Sequence, residues 1–107
     1  MKTLLRLIAL LLCLFSFELY ANEILIFSAD WCNPCKSLKT FVLSKPAELK
    51  GYDSVEILDI DTHRELQKKL SIKVVPTSII IGNDKKIISR KEGYNKSDYA
   101  QWLMENK

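Results

Sequence analysis

The joint between residues 23–29 and 34–44 constrains this chain more than any other feature. The first stretch, EILIFSA, is a short apolar run of strand type, with Ile24, Ile26 and Phe27, suited to burial on both faces. The second, PCKSLKTFVLS, places Leu38, Phe41 and Val42 at i, i+3 and i+4, an apolar face of helical period. Pro46 bars Lys45 from helical angles, so the helix is expected to end near Ser44. A strand must therefore turn into a helix within a few residues, and Cys32 and Cys35 lie at that turn.

The rest of the chain continues the alternation. After a polar loop at KGYDS, residues 55–60, VEILDI, read as a second strand. Thr62 followed three residues later by Glu65 is a capping box, which predicts a short helix ending around Leu70. The runs TSIII and KKIISR flank GNDK and read as an antiparallel hairpin. Ser97 is expected to cap a last helix, DYAQWLMEN, in which Tyr99, Trp102 and Leu103 share one face and are expected in the core. The order βαβαββα is that of a small α/β sandwich whose first two strands pair in parallel. In open α/β sheets, sites form at the strand end where the cysteines fall.

Ahead of this unit, Lys2 and Arg6 precede an apolar run from Leu7 to Phe17, and a polar step ends at Ala21. This is the layout of a secretory signal peptide, residues 1–21, leaving one domain at 22–107. Eleven apolar residues rise only about 16 Å as a helix, against a hydrocarbon core of roughly 30 Å, so an anchor is disfavoured. Cys13 would leave with the leader. Removal of 1–21 takes the net charge from +3 to +2, with basic residues scattered among acids, which names no polyanionic partner and argues against nucleic-acid binding.

Export implies an oxidising compartment, the bacterial periplasm being the expectation, where two cysteines are normally paired. A staple is the weaker reading of this pair. The chain-entropy effect of so small a loop is about 2 kcal/mol against about 3 for fifteen residues, and it ties no distant segments together. A zinc site is disfavoured because the chain beyond the leader offers two thiols and the single His63, expected at the solvated start of a helix.

If Cys32 caps the helix, its sulfur faces the unpaired N–H groups of the first turn, which favours thiolate over thiol. Lowering a thiol pKa near 8.5 by about 1.5 units takes roughly 2 kcal/mol and raises the thiolate fraction at neutral pH from about 3% to about half. Cys35 lies one turn later on the same face, within disulfide reach. Cys32 is then the exposed nucleophile and Cys35 the buried resolving thiol. Pro34 suits the first helical turn, where its missing N–H costs no intrahelical bond, and it stiffens the loop.

WCNPCK after an apolar strand, with VVPT some forty residues on and Gly93 beyond it, resembles the thioredoxin superfamily in its minimal form. The resemblance covers residues 22–107 and implies a mixed four-stranded sheet with helices on both faces. It implies that Pro76 is cis, packs beside the cysteines and leaves the Val75 backbone free to pair with an extended substrate. Trp31 then faces substrate, and Gly93 either lets substrate backbone approach or serves a plain turn. Asn33 stands where most thioredoxins have glycine. Two positions depart from the family pattern: Ile26 and Ile57 occupy the places of a buried aspartate and its neighbouring lysine. The usual proton acceptor for the resolving thiol is thereby removed, and Asp30, Asp59 or water are left as substitutes.

The expectation is an exported thiol-disulfide oxidoreductase that exchanges disulfides with protein substrates and acts as a monomer. It lacks a flavin or nucleotide motif, so it needs no cofactor and draws electrons from a membrane or soluble redox partner. Two alternatives are a soft-metal module holding Cu(I) on the cysteine pair and a redox-inactive binding domain built on the same fold.

Overall fold

The computed structural model describes residues 21–107, so the leader read over 1–21 lies outside the described residues except for Ala21. Four strands and three helices follow in the order β1 (Glu23–Ser28), α1 (Asn33–Leu43), β2 (Ser54–Asp59), α2 (Arg64–Lys69), β3 (Thr77–Ile81), β4 (Ile87–Glu92) and α3 (Lys96–Glu105), with a 3-10 turn at Ala47–Leu49. The sheet order is β2-β1-β3-β4. β1 pairs with β2 in parallel, Ile26 opposite Ile57, and with β3 antiparallel, Phe27 opposite Thr77. The hairpin β3–β4 completes the mixed four-stranded sheet expected of the α/β sandwich.

Strand alternation sends successive side chains of β1 to opposite faces, and both are covered. Ile24, Ile26 and Ile80 join Leu38 and Phe41 of α1 and Tyr99, Trp102 and Leu103 of α3 in one core. Phe27, Leu58 and Ile79 join Ile72 on the other face, with Leu66 and Leu70 packed against them. Each fully buried Ile or Leu in these layers contributes about 2 kcal/mol relative to exposure. Polar anchors fix α3: the Tyr99 hydroxyl donates to Ser78 Oγ at 2.7 Å, and Trp102 Nε1 donates to Ser89 Oγ at 2.8 Å.

Element boundaries differ from the sequence expectations where a local hydrogen bond outcompetes the pattern. The capping box at Thr62 does not form. The Thr62 hydroxyl instead donates to Asp59 O at 3.2 Å, and His63, half-buried, is the residue that begins α2, its Nδ1 2.9 Å from the same carbonyl. Asn95, not Ser97, caps α3, because its side chain accepts from Asp98 N, and Ser97 Oγ donates to that same Asn95 oxygen. β4 starts two residues later than expected because Lys85, at φ 67°, turns the chain and Gly82 N bonds Lys86 O. Lys45 does leave the helix before Pro46, through the left-handed region at φ 52° rather than through extended backbone.

Candidate active site

β1 ends at the upper edge of the sheet, and the turn that follows is closed by Cys32 N donating to Ala29 O at 3.2 Å. Cys32 then takes extended angles, φ −99° and ψ 113°, as the N-cap of α1. Its Sγ accepts from Cys35 N at 3.2 Å, satisfying one of the amides that a helix start leaves unpaired. The expectation drawn from the spacing is met: the sulfur sits on the positive end of an eleven-residue helix with a proline in its first turn.

Cys32 and Cys35 are joined as a disulfide with Cα atoms 5.2 Å apart. Cys35 is buried as expected, at 3% exposure, but Cys32, expected to be exposed, is itself only 5% exposed, because Ala29, Ile60 and Val75 pack around the pair. Val75 O lies 3.6 Å from Cys32 Sγ. In the disulfide that sulfur has no proton, so this is a contact; reduction turns it into a thiol able to donate.

The Val75–Pro76 peptide bond is cis, and Pro76 is fully buried. Around it, Thr77 Oγ1 donates to Val74 O and Gly93 N donates to Pro76 O at 2.7 Å. Gly93 adopts φ 79°, which an L side chain rarely tolerates, while a Cβ there would meet no atom within 4 Å. The glycine is therefore required by backbone conformation at a position that also faces open space. Trp31 is 69% exposed beside the disulfide, and Asn33 and Pro34 are exposed on the redox loop. A groove of about 290 Å³ runs from Trp31 past Ile60 and Ile72 to Val74 and Val75. Larger cavities, about 630 Å³ at the start of α2 and about 720 Å³ between α1 and the Tyr94–Ser97 turn, are lined by neither cysteine.

Two residues that sequence reasoning missed hold the loop carrying Val75. Arg90 on β4 donates to Leu70 O at 2.6 Å and Ser71 O at 2.7 Å, closing the end of α2. Gln67 Nε2 donates to Ile72 O at 3.2 Å. An arginine in a strand beside other charges gives no sequence signal of this, because its partners lie about twenty residues away. Ile26 and Ile57 are where the pattern placed them, side by side in the α1/α3 core with no ionisable group between them. Among the described residues, no three His, Cys, Asp or Glu side chains come together to hold a metal ion, and no helix is long and apolar enough to cross a membrane.

Comparison with known proteins agrees with this geometry. The thioredoxin family model matches residues 16–105. A thioredoxin of Rickettsia bellii is 25% identical over 80 residues, covering 75% of this chain and 76% of that protein. The thiol:disulfide interchange protein DsbD of Pasteurella multocida is 33% identical over 88 residues, covering 74% of this chain but 15% of that protein. The X-ray structure of Fasciola hepatica thioredoxin superposes with a TM-score of 0.71 at 25% identity, covering 81% of this chain and 82% of the other. The chain belongs to the thioredoxin family and is a thiol-disulfide oxidoreductase.

Proposed function

We propose that the protein is exported to the bacterial periplasm and there exchanges disulfides with extended or flexible polypeptide segments through a Cys32/Cys35 dithiol cycle. In the reducing direction the Cys32 thiolate attacks a substrate disulfide, one substrate sulfur leaves, and a mixed disulfide forms. Cys35 then attacks Cys32 Sγ, the Cys32–Cys35 bond forms, and the second substrate sulfur is released. Two electrons pass per cycle, and a membrane or soluble dithiol protein, or a small thiol, restores the pair.

The observation that carries this reading is the placing of Cys32 Sγ, which accepts the Cys35 amide at the helix start while lying 3.6 Å from Val75 O. A substrate strand laid along the Val75 backbone would bring its sulfur against Cys32, with Trp31 and Gly93 flanking the strand. Recognition through backbone tolerates many side chains, which suits unfolded substrates. Asn33 and Pro34 shape the loop. The likeness to a thiol:disulfide interchange protein supports interchange with protein dithiols.

Trapping tests the proposal. Cells producing Cys35→Ala should accumulate mixed disulfides on Cys32 with envelope proteins, released by dithiothreitol and absent from Cys32→Ser. Recovery of the protein only in the cytoplasmic fraction, or no trapped partner, overturns it. The equilibrium potential of the pair against glutathione then sets the direction of flow.

A further inference from the structure

Cys35 must be a thiolate when it attacks the mixed disulfide, yet it is 3% exposed and its position one turn into α1 faces the sheet. Its proton needs an acceptor within reach of that buried position. Ile26 and Ile57, register partners beneath it, cannot take that proton. Two residues further along each strand, on the same face and about 7 Å nearer the site, the register partners are Ser28 and Asp59.

Ser28, Asp59 and Cys35 line a common cavity of about 350 Å³. It has room for several water molecules, whose share of liquid volume is about 30 Å³ each. Asp59 is half-buried and held in place: its Oδ1 accepts from Asp61 N at 2.8 Å, and its carbonyl accepts from Thr62 N and Thr62 Oγ1. Oδ2 has no hydrogen bond or ion pair among the described residues. The other charged groups at this cavity are Asp30, from the turn after β1, and Lys36 and Lys39, from α1; all three are exposed. Asp61 and His63 touch Asp59 through its own turn. Asp30 has no hydrogen bond among the described residues, so nothing aims its carboxylate at the cavity.

We propose that Asp59 is the proton acceptor for Cys35, acting through water in this cavity. The inference rests on the dithiol cycle proposed above. As Cys35 attacks, its S–H proton passes by water to the Asp59 carboxylate, and its electron pair forms the bond to Cys32 Sγ. The Cys32–substrate bond breaks, the substrate sulfur leaves as a thiolate, and Asp59 returns the proton to solvent, where that thiolate recovers it. In the oxidising direction the same proton runs back to Cys35.

The test separates the two steps. Mixing the reduced protein with 5,5′-dithiobis(2-nitrobenzoate) releases one coloured thiolate when Cys32 attacks and a second when Cys35 resolves the adduct. Asp59→Asn, which keeps the Oδ1 acceptor of the turn, should leave the first phase unchanged and slow the second at neutral pH by at least about tenfold. Raising the pH should restore the second phase, as solvent base takes over. Asp59→Glu should recover most of the wild-type rate, and Asp30→Asn should match wild type. A second phase in Asp59→Asn equal to wild type at every pH, a slow phase in Asp30→Asn instead, or equal slowing of both phases in Asp59→Asn overturns the assignment. Release of one thiolate only from the wild type overturns the dithiol cycle itself, a result distinct from any of these.

Discussion

The two faces of the sheet are built to different standards of rigidity. On the α1/α3 face the helices bury Leu38, Phe41, Tyr99, Trp102 and Leu103, and the rings of Phe41, Tyr94 and Trp102 each pack against Tyr99 with centroids 5.4–5.9 Å away. On the other face α2 is six residues long and has no fully buried side chain; it is held to the sheet by Leu66, Leu70 and the Arg90 bridge. Cys32, the nucleophile of the proposed cycle, therefore rides on the face with the interlocked core, and the loop bearing Val75 and Pro76 leaves from the lightly anchored one. A disulfide exchange needs the attacking sulfur aimed within tenths of an ångström, whereas a groove for varied polypeptides gains from a wall that can adjust.

That contrast can be broken in order of expected effect. Cys32→Ser removes the proposed nucleophile on the rigid face and should abolish dithiothreitol-driven reduction of insulin disulfides while the protein stays folded by circular dichroism. Next in size are core truncations. Leu38→Ala on the α1 side should cost about 2–5 kcal/mol in urea unfolding, and Leu66→Ala on α2 less than about 2, since Leu66 is only partly buried. Equal losses would mean that the two faces are equally packed.

A smaller, pH-dependent effect comes from Tyr99, whose hydroxyl burial holds its pKa well above the ordinary 10.0. Below pH 10 the phenol is neutral folded or unfolded, so its contribution to stability is constant. Above it the unfolded chain ionises first, and stability falls by about 1.4 kcal/mol per pH unit for this group. Tyr99→Phe should flatten that alkaline slope while lowering stability at neutral pH by about 1–3 kcal/mol, because buried Ser78 Oγ loses its partner. A thermal-melt series from neutral pH to alkali reads both.

The smallest expected effect sharpens the contrast most. Arg90→Ala frees the end of α2 and should cost about 1 kcal/mol, given an exposed guanidinium. It should raise KM for a protein disulfide by a few-fold and leave the rate of Cys32 alkylation by iodoacetamide unchanged. A change in the alkylation rate would show that the loop and the nucleophile are not mechanically separate.

The sequence read well where the governing interactions are local. The helix with Pro34 in its first turn, the disulfide reach of Cys32 and Cys35 and the capping role of Cys32 all follow from backbone geometry within one turn. Ile24, Ile26 and Phe27 announced a strand buried on both faces, and the two cores confirm it. The caps expected at Thr62 and Ser97 do not form because several hydroxyl and amide side chains compete for the same few backbone groups, and a difference of one hydrogen bond decides which residue begins the helix.

The rest depended on partners far apart in sequence. No pattern could place Arg90 on the carbonyls of Leu70 and Ser71, or show that Asp59, and not Asp30, is held by a hydrogen bond at the cavity that Cys35 lines. The amino-acid sequence determined the elements, their order and the reactive pair, because propensity, periodicity and helix capping act over a few residues. Only the tertiary structure decided which of the two carboxylates at the Cys35 cavity is held in place and what steadies the loop bearing Val75, because those relations are created when the sheet brings distant strands into register.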